Sequence, residues 1–141
     1  MKWVFDDGGR AAAGYKGFTG DCVCRAIAIA TQKPYKEIYD LINDFAKKER
    51  KSKHRTGKSN ARTGVYKTTI RRVMKHLGWQ WVPTMKISSG CTTHLRDGEL
   101  PNGRLVVSVS RHEVAVIDGV VHDTYDCTRD ESRCVYGYWH A

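Results

Sequence analysis

No run of apolar residues in this 141-residue chain approaches the ~20 that a membrane-spanning helix needs. The opening "MKWVFDDGGR" turns acidic and glycine-rich at once, so it lacks the apolar core of a secretory signal. Acidic residues are nearly absent from one stretch: residues 46–75 hold twelve Lys or Arg and a single acid, Glu49. The five cysteines are an odd number, which argues against a fully paired disulfide framework. These absences exclude a membrane-spanning protein and predict a cytoplasmic chain with reduced thiols. Cys127 and Cys134, close enough in sequence to pair across the last loop, are accordingly expected to be free.

Hydrophobic residues make up 40% of the chain, enough for a globular core rather than a disordered segment. The length predicts one domain over residues 1–141, with a basic loop or insertion at about 47–63. The formal net charge is +9, and its placement is uneven. Outside residues 46–75 there are twelve basic and fourteen acidic residues, so one segment carries the excess. Lys47, Lys48, Arg50, Lys51, Lys53, Arg55, Lys58 and Arg62 are therefore candidate contacts for nucleic acid or an acidic protein surface. A solvated loop with no partner fits the same composition equally well.

"KWVF" (2–5) reads as a short strand, and the five glycines of residues 7–20 read as a loop. Asp21 suits a helix N-cap, and Cys22 to Thr31 reads as a buried, alanine-rich helix. Pro34 suits the first turn of a second helix, in which Tyr35, Ile38, Leu41, Ile42 and Phe45 recur at helical spacing. A third helix is predicted over about Val65 to Leu77, with Gly78 as its stop. "WQWV" (79–82) alternates like a strand, and one of its two tryptophans is expected in the core. "CTTHLRDGELPNG" (91–103) has room for one helical turn before clear turn chemistry. Strands follow over 104–110, 112–117, 120–126 and 134–139. Asp118-Gly119 is a two-residue hairpin signal. Helices first and an antiparallel sheet after them predict an α+β fold.

That hairpin places side chains. Pairing Ile117 with Val120 sets Val116 opposite Val121 and Val114 opposite Asp123, with His112 opposite Tyr125. His112, Val114 and Val116 then share a face with Val121, Asp123 and Tyr125, while Glu113 and His122 fall on the other. His112 and Asp123 are diagonal neighbours within side-chain reach. Covering the valines with the helix from Cys22 brings its first turn next to His112. A thiol, a base and a group that orients the base form the pattern of an activated nucleophile. The positive potential of a helix N-terminus favours thiolates, and its amides suit an oxyanion. Glycines nearby permit close approach of a substrate to the backbone. Cys24, one turn from the helix start, reads as core.

Asp-Cys opening a buried alanine-rich helix, with His and then Asp on late strands, resembles the papain-like cysteine peptidase superfamily. The resemblance is to its compact bacterial type, which includes the double-glycine bacteriocin-processing peptidases. Through "DCVCRAIAIAT", "GWQWVPTM" and "HDTYD" the chain also resembles small uncharacterised phage and prophage proteins. The resemblance implies a papain-like fold and a thiol hydrolase of peptide or isopeptide bonds, with acyl transfer or deamidation open to the same machinery. Cys22 would be the nucleophile, His112 the general base and acid, and Asp123 the orienting carboxylate. No cofactor is implied, and the setting would be the cytoplasm of a bacterial or phage-infected cell. Such enzymes usually carry a Gln a few residues before the Cys as an oxyanion donor. Here that region reads "YKGFTG", which leaves Lys16 or Thr19 as substitutes. An inactive papain-like module that binds through the basic segment is the alternative.

Zinc is a rival for the cysteines. Cys22, Cys24, Cys127 and Cys134 provide four thiols, with His122 or His140 able to replace one. The Cys-x-Cys spacing and the six-residue gap between Cys127 and Cys134 do not match structural zinc knuckles, so no metal is expected. Tryptophan near a basic segment would suit base stacking, but core packing is its commoner use.

Overall fold

The computed structural model describes residues 1–50 and 57–141. Lys51, Lys53 and Arg55, three of the basic candidates, lie outside the described residues. The elements in chain order are β1 (Trp3–Phe5), α1 (Cys22–Thr31), α2 (Tyr35–Lys47), α3 (Lys67–His76), β2 (Gln80–Pro83), β3 (Met85–Lys86), β4 (Gly90–Cys91), β5 (Arg104–Val109), β6 (His112–Ile117), β7 (Val120–Asp123) and β8 (Val135–His140). They form an α+β fold. A six-stranded sheet runs β1-β7-β6-β5-β8-β2, and β3 pairs with β4 in a separate two-stranded sheet.

The hairpin register is the one the Asp118-Gly119 turn dictates: Ile117 pairs with Val120, Val116 with Val121 and Ala115 with His122. Asp118 sits at φ 47, in the left-handed region, and its carboxylate accepts the Gly103 amide at 2.8 Å. The C-terminal strands pair antiparallel as expected, and β1 adds a parallel edge that makes the whole sheet mixed. β1 lies parallel to β7, with Trp3, Val4 and Phe5 beside Val121, His122 and Asp123. A parallel partner needs a long crossover, and the whole helical half of the chain separates the two strands. The 91–103 stretch forms β4 and turns, with no helical turn in it.

Two cores flank the sheet. On one face Val106, Ala115 and Trp139 pack against α1, α2 and α3. On the other, Leu105, Val107, Val109, Val114, Val116, Val121 and Val135 pack with Leu95 and Cys127. The valine face of the hairpin is therefore covered by the 95 and 127 segments. Its expected cover, α1, packs on the opposite face instead. On that face α1, with Ala26, Ala28 and Ala30 buried, packs in the same cluster as Ala115. Packing is close at Gly137 of β8, where an added Cβ would lie 2.3 Å from the Trp81 indole and 2.7 Å from the Val82 carbonyl. Trp79 is buried, while Trp81 keeps about a third of its surface open.

The basic stretch is folded at both of its described ends. α2 runs to Lys47, and the chain from 57 to 66 returns as a turn closed by an Asn60–Gly64 bridge. Glu49, the only acid there, is buried and accepts the Ser59 amide at 2.7 Å and the Thr69 hydroxyl. Ala61 is buried, and its amide donates to Asn43 at 2.9 Å. The single carboxylate thus pins a segment that composition alone describes as a loop.

Candidate active site

α1 begins at the end of the sheet where β6 starts and β7 finishes. His112 is the first residue of β6 and Asp123 the last of β7, so both stand past the paired residues of the hairpin. From there they reach the first turn of α1. His112 Nε2 donates to Asp123 Oδ2 at 2.6 Å, and both residues are buried. Cys22 and Cys127 lie close enough to the ring to act on its charge, and Cys22 shares the cleft with it. The structure therefore brings Cys22, His112 and Asp123 together. Their meeting at the end of the sheet does not depend on α1 covering the valines.

The charges explain the geometry. Burial disfavours a protonated ring, but the hydrogen bonds to Asp123, Cys127 and Cys22 outweigh it and raise the His112 pKa to about 12. For Asp123, burial pushes upward. The hydrogen bond and charge of His112, the Thr124 amide at 2.7 Å and Arg25 together hold it below the ordinary carboxylate value. Arg25 Nη2 lies 3.2 Å from Asp123 Oδ1 while its Nη1 donates to Asp21.

Asp21 precedes the helix but does not cap it with its side chain. Its carboxylate is fully buried and turns inward, accepting the Tyr35 hydroxyl at 2.6 Å beside Arg25 and Arg10. No side chain caps the first turn of α1, and Asp21, Cys22 and Val23 line a cleft. The cleft holds about 540 Å³ and also includes Thr19, Gly64, Lys67, Arg111, His112, Glu113 and Tyr125. The Tyr125 and His112 rings lie 5.4 Å apart.

The two candidate oxyanion side chains are placed differently. Thr19 lines the cleft, but its hydroxyl donates to the Arg62 carbonyl at 2.8 Å, and the Gly20 amide donates to the same oxygen at 2.7 Å. Lys16 accepts the Arg62 guanidinium on its carbonyl at 2.6 Å and is not among the residues lining the cleft. Glycine here serves the chain itself: a Cβ on Gly20 would lie 3.1 Å from the Thr63 carbonyl, and one on Gly8, at φ +70, would lie 3.2 Å from Arg25 backbone.

The described members of the basic set are spread over several roles. Arg62 ties the 16–20 loop to the 60–64 turn through both its backbone and its side chain. Lys58 donates to the Lys47 carbonyl at 3.3 Å, Lys47 stands 3.7 Å from Asp44, and Lys48 lies over the Phe45 ring. Arg50 is exposed.

Two site residues, Arg25 and Tyr35, were not singled out for the site from the sequence, and two others had another reading: Asp21 as a helix cap and Cys127 as a free thiol or zinc candidate, not as a neighbour of His112. Arg25 had a signal: it is the one charged residue in "CVCRAIAIAT", four residues after Asp21. Cys127 had none, because its position depends on a loop. His112, Asp123 and Cys127 bring nitrogen, oxygen and sulfur within 4.8 Å of one another, a donor set able to hold a thiophilic divalent ion. Burial pushes the Cys127 thiol up, with the His112 contact opposing it. Cys24 is buried and pushed up to about 12 by burial, which suits its reading as core. The four-thiol zinc arrangement does not form, because Cys134 is bonded to Cys91. That disulfide also corrects the expectation that Cys134 is a free thiol, while Cys127 is free. The two-stranded β3–β4 unit packs against β8 and brings Cα91 and Cα134 to 5.9 Å.

No helix among the described residues is long and apolar enough to cross a membrane. Comparison with protein-family models, curated proteins and solved structures finds no match to this chain.

Proposed function

We infer that the chain is a papain-like thiol hydrolase acting on peptide or isopeptide bonds, with Cys22, His112 and Asp123 as its triad. The observation that carries this reading is a buried imidazole held at 2.6 Å by Asp123 that lines the same cleft as Cys22, the first residue of α1. Asp123 occupies Nε2, so Nδ1 is the ring nitrogen left for sulfur. With His112 already holding its proton as an imidazolium, the Cys22 sulfur attacks the substrate carbonyl. The oxyanion accepts hydrogen bonds from the first-turn amides of α1. His112 then protonates the leaving amine, and water, deprotonated by the same ring, releases the acyl group and restores the thiol. Transfer to an amine would follow the same path with the amine in place of water.

The cleft favours a neutral or acidic polypeptide. Asp21 is neutralised by Arg25, which leaves Lys67 and Arg111 on the wall against Glu113. The 63–65 part of that wall continues into the basic segment, which would extend the attraction.

Iodoacetamide labelling at neutral pH, read by mass spectrometry, tests the triad. Cys22 is expected to react faster than Cys24 and Cys127, and His112→Ala to slow it at least roughly tenfold. Equal labelling of the three free thiols, or a rate untouched by His112→Ala, would overturn the proposal.

A further inference from the structure

A second cysteine, histidine and carboxylate meet away from the cleft. Cys91, at the end of β4, is bonded to Cys134 just before β8. His94 Nε2 lies 3.5 Å from Cys91 Sγ, and His94 Nδ1 lies 3.3 Å from Glu99 Oε1. The same Glu99 oxygen accepts the His94 amide at 3.3 Å, and Arg96 Nη1 lies 3.3 Å from its other oxygen. Cys91 is exposed and Cys134 half-buried.

The bond is not the only tie between these segments. The Val135 amide donates to Thr93 at 2.8 Å, Leu95 to Arg133 at 2.9 Å and Thr84 to Tyr136 at 3.0 Å. The Thr84 hydroxyl adds a bond to the Val135 carbonyl at 2.8 Å. Opening the disulfide leaves this framework in place, and with it the position of His94 beside sulfur. A purely structural cross-link gains nothing from an imidazole at that distance, whereas an exchanging one is assisted by it, because it stabilises the departing thiolate.

We propose that Cys91–Cys134 is an exchangeable, redox-active disulfide that reacts with small monothiols, with His94 as proton donor and acceptor for Cys91 and Glu99 positioning His94. A thiolate attacks Cys134 Sγ and forms a mixed disulfide there. The Cys91–Cys134 bond breaks, its electron pair goes to Cys91, and that sulfur takes the His94 Nε2 proton. A second thiolate attacks the small-molecule sulfur of the mixed disulfide and releases Cys134, which is protonated from water. Two monothiols are oxidised to one disulfide and the protein disulfide is reduced to two thiols. In reverse, His94 deprotonates Cys91, which attacks the mixed disulfide on Cys134.

Glutathione is the probe. The full chain is incubated with millimolar glutathione near pH 7, quenched in acid, alkylated and mapped by mass spectrometry. Reduction within minutes is expected, with the transient adduct on Cys134. His94→Ala should slow reduction at least roughly tenfold and change its pH dependence. Glu99→Gln should slow it by a smaller factor and shift that pH dependence, which loss of a merely structural contact would not do. A disulfide that persists, an adduct found on Cys91, or wild-type rates in His94→Ala would each overturn the proposal. The Cys22 labelling rate, measured in the same samples, reports on the cleft separately, so one proposal can fail without the other.

Discussion

This chain places a cysteine, a histidine and a carboxylate together twice, and burial separates the two. Around His112 the carboxylate is buried and paired: Asp123 is 2% exposed and Arg25 bridges it to Asp21, while Cys22 is half-buried in the wall of the cleft. Around His94 the cysteine, Cys91, is exposed and disulfide-bonded, and the carboxylate stands at 3.3 Å instead of 2.6 Å. Electrostatic interactions strengthen as water is excluded, so the same three groups are coupled tightly in one place and loosely in the other. The buried set suits proton transfer to a bound substrate. The exposed set suits exchange with a solute that arrives from water.

The largest expected effect breaks the buried set. Cys22→Ser or His112→Ala should lower hydrolysis of a peptide library by at least about a hundredfold, whereas Cys91→Ser should leave it within about twofold. Equal losses from the two cysteines would erase the distinction between the sites. Next in size is Arg25→Met, which leaves Asp21 and Asp123 without their shared cation. It should destabilise the fold by about 3 kcal/mol in urea titrations and slow Cys22 labelling as Asp123 loses its anchor.

Acidity sharpens the contrast further. Glu113 is 7% exposed beside His112, and burial raises its pKa to about 7. Unfolded, it ionises near 4.5, so between 4.5 and 7 the unfolded chain binds fewer protons and stability falls as pH rises. Glu113→Gln should remove that fall and stabilise the protein at pH 8 by roughly 2–3 kcal/mol, as read from thermal unfolding across pH. Asp123 has the opposite sign: its contribution is present above its unfolded value of 3.8 and is lost as pH falls through the lower folded value. Asp123→Asn should therefore flatten the acid limb of the same profile. The smallest effect belongs to the surface: Glu99→Gln should change stability by less than about 1 kcal/mol.

Much of this arrangement was legible because strand pairing is local and periodic. The Asp118-Gly119 turn sets the register of β6 and β7 within ten residues, and with it the meeting of His112 and Asp123. Helix α1 was equally readable from its composition. Its docking face was not. Valines at 114, 116 and 121 and alanine at 115 both need cover, and alternation alone does not say which face takes the helix. β1 illustrates the same limit, since three residues at the start of the chain hold no information about which edge they will join.

By itself the sequence determined the three helices and the long strands after them, the hairpin register and the first-turn position of Cys22. All three follow from short-range backbone preferences and from the periods of helix and strand. Tertiary structure decided the rest. It placed Arg25 between two buried carboxylates and set Cys127 behind His112. It turned Asp21 inward, away from the helix amides, and joined Cys91 to Cys134 across 43 residues. Each of these depends on segments distant in sequence packing into one volume, where excluded water makes charges seek partners and brings thiols within bonding distance.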